Sequence, residues 1–254
     1  IAKDYMFPYN RKIWSMDLKE LGTYWMEKLP DVSLRDTLYS CLKKEPQGTL
    51  PGHAKFLYPK KYGFGELWLR MADRVKEHIV YQEEALTLDA DQRIVNGKWQ
   101  GDIIINTVPW TSFKEIAGAE ERILTDIASL QHSAVVIEYH NGEVTTDAHW
   151  TYYPDEALSY HRILWRSNFC EGSRGYWTET NEKRYVENPD KFHYINSYAY
   201  PLNTVHKPET IGRILQWARQ KNILGLGRFG EWEHLNTDAA VEHAMNLSSI
   251  LLQK

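Results

Sequence analysis

Near the C-terminal end, Gly225-Leu226-Gly227-Arg228-Phe229-Gly230 continues through Glu231-Trp232-Glu233-His234-Leu235-Asn236-Thr237 to Asp238 and an apolar-periodic segment. Residues of these types at this spacing suit a phosphate seat. Gly225, Gly227 and Gly230 let backbone N–H groups approach a ligand closely, and Arg228 offers a planar fork to a pyrophosphate. Asp238 is placed to cap a helix whose N-terminus carries partial positive charge. The same string also fits a plain turn followed by an ordinary N-cap, so the residues alone leave both readings open.

Other side chains carry weaker signals. Glu231 and Glu233, at i and i+2, would serve as a glycosidase-type acid and base only if the fold brought them to a cleft. His132, His140 and His149 fall in one predicted hairpin region without a tight ligand pattern, and no metal is expected. Gly63 sits in a loop, Tyr58 to Gly65, that opens a helix; such a glycine allows close approach to a ring or a phosphate, or simply makes a tight turn. Asn246-Leu247-Ser248 matches a glycosylation sequon, but within a predicted helix.

The elements that must position these groups follow from periodicity. Asp17 caps a predicted short helix with Leu18, Leu21, Trp25 and Leu29 at helical spacing, stopped by Pro30, and 33–42 forms a second. Leu67, Trp68, Met71, Ala72 and Val75 share a face of a helix after Gly65. The pattern then alternates: strands are predicted over 79–88, 93–99 and 102–107, with Asn96-Gly97 as a type I′ turn signal. Ile103-Ile104-Ile105 suggests a strand covered on both faces. A helix over 120–130 precedes a hairpin of 132–139 and 144–150 turning at Asn141-Gly142. A strand over 160–165, an irregular surface excursion over 172–190 and a strand over 194–202 follow. Pro208 opens a helix with Ile211, Ile214, Leu215 and Ala218 on one face. The fold class expected is α+β, a mainly antiparallel sheet flanked by helices.

Composition bounds the partners. The chain has 254 residues, 43% hydrophobic and 25% charged, with a net charge of -4, so no overall basic field exists to draw nucleic acid. The 10 Trp and 16 Tyr suit either a cleft that stacks on bases, sugars or a flavin, or a Trp-rich core. Cys41 and Cys170 have neither disulfide density nor metal spacing, which points to a reducing cytoplasm. No apolar run approaches the length of a membrane span. The chain opens at Ile1 within patterned sequence, and a piece of something longer is expected.

Several segments, in this order, resemble the flavoproteins related to UDP-galactopyranose mutase and to the protoporphyrinogen-oxidase-like flavin amine oxidases. They are Tyr9-Asn10-Arg11-Lys12-Ile13-Trp14 with Leu29-Pro30, Tyr58-Pro59 leading to Gly63-Phe64-Gly65-Glu66-Leu67-Trp68, and 102–109. Tyr160-His161-Arg162-Ile163, Tyr200-Pro201-Leu202 and Gly227 through Asp238 continue the series. The resemblance implies the substrate domain of an FAD-dependent enzyme with its C-terminal flavin-contacting segment, 1–57 being a helical and loop part and 58–254 the sheet domain, together one compact unit. The G-x-G-x-x-G unit with which that family begins is absent from the sequence, so a further FAD-binding half is an expected partner and this chain alone is expected neither to hold FAD nor to be active.

By matching position, Gly227, Arg228 and Gly230 would face the FAD pyrophosphate, Asp238 the ribityl chain and phosphates, and Gly63 the isoalloxazine. Arg162 resembles the arginine that neutralises a substrate diphosphate, Tyr200 a tyrosine beside it, and Trp14 a ring near the uracil. The sequence departs from the mutases at Glu27-Lys28, where they carry an arginine over the flavin, and at His234 and Leu235, where they carry tyrosines. Lys28 and His234 are therefore expected on the substrate with altered chemistry. The implied function is an oxidoreductase or mutase on a nucleotide sugar in polysaccharide or lipopolysaccharide biosynthesis, a homodimer being compatible with it. A non-enzymatic sugar-nucleotide or glycan-binding module is the alternative.

Overall fold

The computed structural model describes residues 2–24, 33–45 and 56–253. A π-helical turn, Ala2–Met6, runs into helix α1 (Phe7–Trp14), where Pro8 occupies a first-turn position whose N–H would have no intrahelical partner. The helix expected from Asp17 does not form over its described part. Leu21 instead bridges Thr204, Gly22 N–H donates to the Asn203 carbonyl at 2.7 Å and Val205 N–H to the Glu20 carbonyl at 3.0 Å. Extended partners across the chain satisfy this backbone, and that pairing outweighs the helical spacing of Leu18 and Leu21. Trp25, Lys28, Leu29 and Pro30 lie outside the described residues.

Helix α2 (Leu34–Lys43) starts at Ser33, whose hydroxyl accepts the Asp36 N–H at 3.0 Å. Helix α3 (Gly63–Asp73) begins at Gly63 with φ +72°. Strands β1 (Thr87–Asp89), β2 (Ile94–Val95) and β3 (Trp99–Gln100) follow, and Asn96 and Gly97 have φ +54° and +63°, the paired positive values a type I′ turn requires. Strand β4 (Ile104–Asn106) lies apart from them, and β5 (Glu115–Ala117) pairs in parallel with β1 to give the order β3-β2-β1-β5.

Helix α4 (Glu121–Ser129) leads into the main sheet of β6 (His132–His140), β7 (Trp150–Tyr152), β8 (Arg162–Trp165), β9 (Tyr176–Asn181) and β10 (His193–Pro201), with the short α5 (Arg166–Phe169) after β8. Its order is β10-β6-β9-β8-β7, antiparallel throughout. This corrects two expectations. Asn141-Gly142 makes no hairpin, because both edges of β6 are taken by β10 and β9. The excursion over 172–190 contains β9, a central strand; its Thr178, Glu179, Thr180 and Asn181 are all buried, so the apolar–polar alternation that marks a strand is missing.

Helix α6 (Lys207–Gln220) buries Ile211, Ile214, Trp217 and Ala218, and is joined to α4 by a forked Arg213–Asp126 pair at 2.7 Å. Strand β11 (Ile223–Gly225) lies parallel to β4, followed by α7 (Gly227–Gly230) and α8 (Thr237–Leu252). The core gathers Leu88, Trp110, Ile116, Ile123, Ile127, Ile214, Ile223, Phe229 and Trp232 between α4, α6 and the smaller sheets. Ile103 and Ile105 are 45% and 44% exposed, so β4 is not covered on both faces as its sequence suggests. The architecture is α+β, with a mainly antiparallel sheet flanked by helices.

Candidate functional site

One end of the main sheet, beneath α1, gathers side chains from five elements. Arg162 on β8 stands directly across from Glu179 on β9. Its Nε donates to Glu179 Oε2 at 2.6 Å, its Nη2 lies 2.5 Å from the same oxygen, and Nη2 reaches the Tyr200 hydroxyl at 3.4 Å. Burial alone would push the Arg162 guanidinium down; Glu179, Tyr200 and Tyr152 outweigh it and hold it above its ordinary value. Tyr200 stacks on His234 at 4.8 Å, and Trp14 meets both rings edge-on at 6.1 and 6.2 Å.

Helix α1 is fastened over this site. Fully buried Lys12 donates to the carbonyls of Tyr153 and Asp155, each at 2.7 Å, and Asn181 Nδ2 donates to the Ile13 carbonyl at 2.9 Å. Burial, with Arg184 nearby, pushes the Lys12 ammonium down to about 8. Trp14 Nε1 bonds Asn10 Oδ1 at 2.9 Å, which fixes the indole plane. Tyr9 stacks on Tyr5 and sits edge-on to Tyr152 and His161. Burial, with Tyr152 close by, raises its phenol well above the usual range and keeps it protonated.

Arg162, Tyr200, Trp14 and His234 thus share one site, and Arg228 borders it with its guanidinium 5.2 Å from the Tyr200 ring centroid. Arg228 is heavily committed: Nε and Nη2 donate to the Leu235 carbonyl at 3.3 and 2.7 Å, and Nη1 to the Ala199 carbonyl at 2.9 Å. The Gly227 N–H is accepted by Glu231 Oε2 at 2.9 Å, and Glu231 also pairs with His243 Nδ1. Gly230 is buried, and a Cβ there would strike the Asn106 carbonyl oxygen. Asp238 is exposed in the first turn of α8 and does not cap it; Asn236 occupies the N-cap. Gly63 opens α3, facing the Tyr58 hydroxyl. Lys28 lies outside the described residues.

Glu179, His161, Tyr9, Tyr152, Lys12 and Asn181 were not singled out by sequence. Glu179 and Asn181 hide in a strand without alternation; Tyr9, Lys12 and His161 lie inside the quoted motifs and carry no signal of their own there. Among the described residues, no group of three or more His, Cys, Asp or Glu could hold a metal, and no helix is long and apolar enough to cross a membrane.

No known protein-family model matches the sequence. Solved structures do. Reduced UDP-galactopyranose mutase superposes with a TM-score of 0.82 at 20% identity, over 97% of this chain and 64% of that one. A protoporphyrinogen oxidase-like protein from Exiguobacterium sp. 255-15 gives a TM-score of 0.47 at 12% identity, over 73% of this chain and 51% of that one. The chain therefore spans 64% of the length of the mutase it matches, and across nearly all of its own length it has the fold of UDP-galactopyranose mutase.

Proposed function

We propose that this chain is the substrate-binding portion of an FAD-dependent oxidoreductase or mutase that acts on a nucleotide sugar, in the supply of precursors for a polysaccharide or lipopolysaccharide. The observation that carries this reading is the convergence of Arg162 from β8 with Trp14, Tyr200 and His234 from α1, β10 and the loop after α7. A guanidinium with an adjacent phenol suits a diphosphate, and flat rings at right angles suit a base or a sugar face. The mutase-like fold adds support. In the whole protein the flavin would supply the electron-transfer chemistry, while this chain binds and orients the substrate. The glycine segment does not by itself fit the flavin pyrophosphate: the Gly227 N–H is held by Glu231, and three of the five Arg228 N–H donors are spent on backbone carbonyls. These commitments favour the second reading, a sugar-nucleotide or glycan-binding module without flavin.

The visible spectrum of the full gene product, followed by titration with UDP-sugars under reducing conditions, separates the two. A flavin spectrum that shifts with a UDP-sugar supports the enzyme. A colourless protein that still binds a UDP-sugar supports the module. A colourless protein that binds none sinks both.

A further inference from the structure

Arg162 is the residue best placed to receive an anion, yet Glu179 already holds it through both Nε and Nη2. Beside this pair lies His161, only 1% exposed, with neither ring nitrogen hydrogen-bonded among the described residues. Its Nε2 stops 3.8 Å from Glu179 Oε2, beyond hydrogen-bond distance by less than an ångström. A buried polar group without a partner is costly, so this idle donor calls for an explanation. Burial, with Arg162 and Lys12 nearby, pushes the imidazole down to about 3, so it rests neutral. A binding arginine already neutralised and a donor unused beside its neutraliser share one solution.

We propose that His161 is the alternative partner of Glu179: an anionic group arriving at Arg162 displaces the Glu179 carboxylate, which moves onto the His161 imidazole. This rests on the reading of Arg162 as the anion-binding residue. In the exchange, ligand oxygens replace Glu179 on Nε and Nη2 of Arg162, and Glu179 accepts the His161 N–H instead. With the carboxylate drawn to it, the imidazole binds a proton from solvent, so the His161–Glu179 pair gains up to one proton as the anion arrives. The groups facing the imidazole are Tyr9 and Lys12 from α1, Glu179 from β9 and Arg162 beside it on β8. Tyr5 and Tyr152 pack around Tyr9, and Lys12 is tied to the Tyr153 and Asp155 carbonyls. Glu179 is the anionic acceptor among them. His161 acts through Glu179 and is a positioning residue.

The test is calorimetric titration of the chain with inorganic pyrophosphate in two buffers of different ionisation enthalpy, for the wild type, His161→Phe, His161→Asn and Arg162→Gln. The wild type should bind with proton uptake. His161→Phe, which offers Glu179 no donor, should bind roughly tenfold more weakly. His161→Asn keeps an N–H but cannot titrate, so it should recover most of the affinity while taking up fewer protons, and the ligand's own titration cancels in that difference. Circular dichroism checks that the variants fold. If both His161 variants bind with wild-type affinity and proton count, the exchange is refuted and Arg162 as an anion site stands. If the wild type does not bind pyrophosphate, or Arg162→Gln binds it unchanged, the reading of Arg162 fails and the exchange fails with it.

Discussion

Replacing Arg162 by Met removes the guanidinium and leaves the Glu179 carboxylate beneath α1 without its counter-charge. The side chains are 22% and 10% exposed, and both Nε and Nη2 of Arg162 close on one carboxylate oxygen. Breaking a buried pair from one side costs about 3–5 kcal/mol; the residual exposure of Arg162 places this pair at the lower end, about 3 kcal/mol. Removing both charges with Arg162→Met/Glu179→Gln should cost only about 1 kcal/mol, because no unpaired charge remains. Adding Glu179→Gln to Arg162→Met should therefore restore about 2 kcal/mol. In a chain of this size about 2–4 °C of Tm accompanies each kcal/mol, so the single variant should melt roughly 6–12 °C lower and the double roughly 2–4 °C lower. Urea and thermal unfolding measure both. Arg70→Met is the control: Arg70 and its partner Glu66 are 68% and 39% exposed, and its loss should cost less than about 0.5 kcal/mol. If single and double variants lose the same stability, Arg162 does not neutralise Glu179 in the folded chain, and the site described above is wrong at its centre.

Two further outcomes are expected. His161 has a folded value of about 3 against about 6.5 in the unfolded chain. Between those values the unfolded chain binds a proton that the folded chain refuses, so this contribution is complete above pH 6.5 and is lost as pH falls, by about 2 kcal/mol at pH 5. Burial shifts His132 and His140 in the same direction. Urea midpoints measured from pH 7.5 to 5 should therefore fall less steeply in His161→Asn than in the wild type, and equal slopes would show that His161 is not buried neutral. For the glycines, Gly230→Ala drives a methyl into the Asn106 carbonyl oxygen and should cost about 2–3 kcal/mol, whereas Gly227→Ala meets open space and carries mainly the strain of φ +74°, about 1–2 kcal/mol. Thermal melts of the two variants order them, and a Gly227 variant less stable than the Gly230 one would contradict the packing of α7 on β4.

The residues legible in the sequence were those with a signal of their own. Asn96-Gly97 marked a turn by its left-handed preference, the helices expected over 33–42 and 120–130 form as α2 and α4, and the periodic apolar face of α6 marked the core it buries. Arg162, Tyr200, Trp14 and His234 were named from a resemblance, and the fold brings all four together. What stayed hidden was hidden for physical reasons. Strand β9 buries Thr178, Glu179, Thr180 and Asn181, and a strand whose interior is polar shows no period-2 pattern. The Asn141-Gly142 signal is local, and the pairing of β6 with β9 and β10 overrode it. Gly227 and Arg228 have the composition of a phosphate seat; only coordinates reveal that Glu231, Leu235 and Ala199 already occupy their donors. The same holds for Arg162, whose guanidinium is held by a carboxylate from a strand that the sequence did not disclose. At both places an N–H donor suited to an anion already meets a carboxylate of the chain, so a phosphate that takes the Gly227 N–H or the Nε and Nη2 edge of Arg162 must displace a carboxylate, and its affinity will depend on where that carboxylate can go.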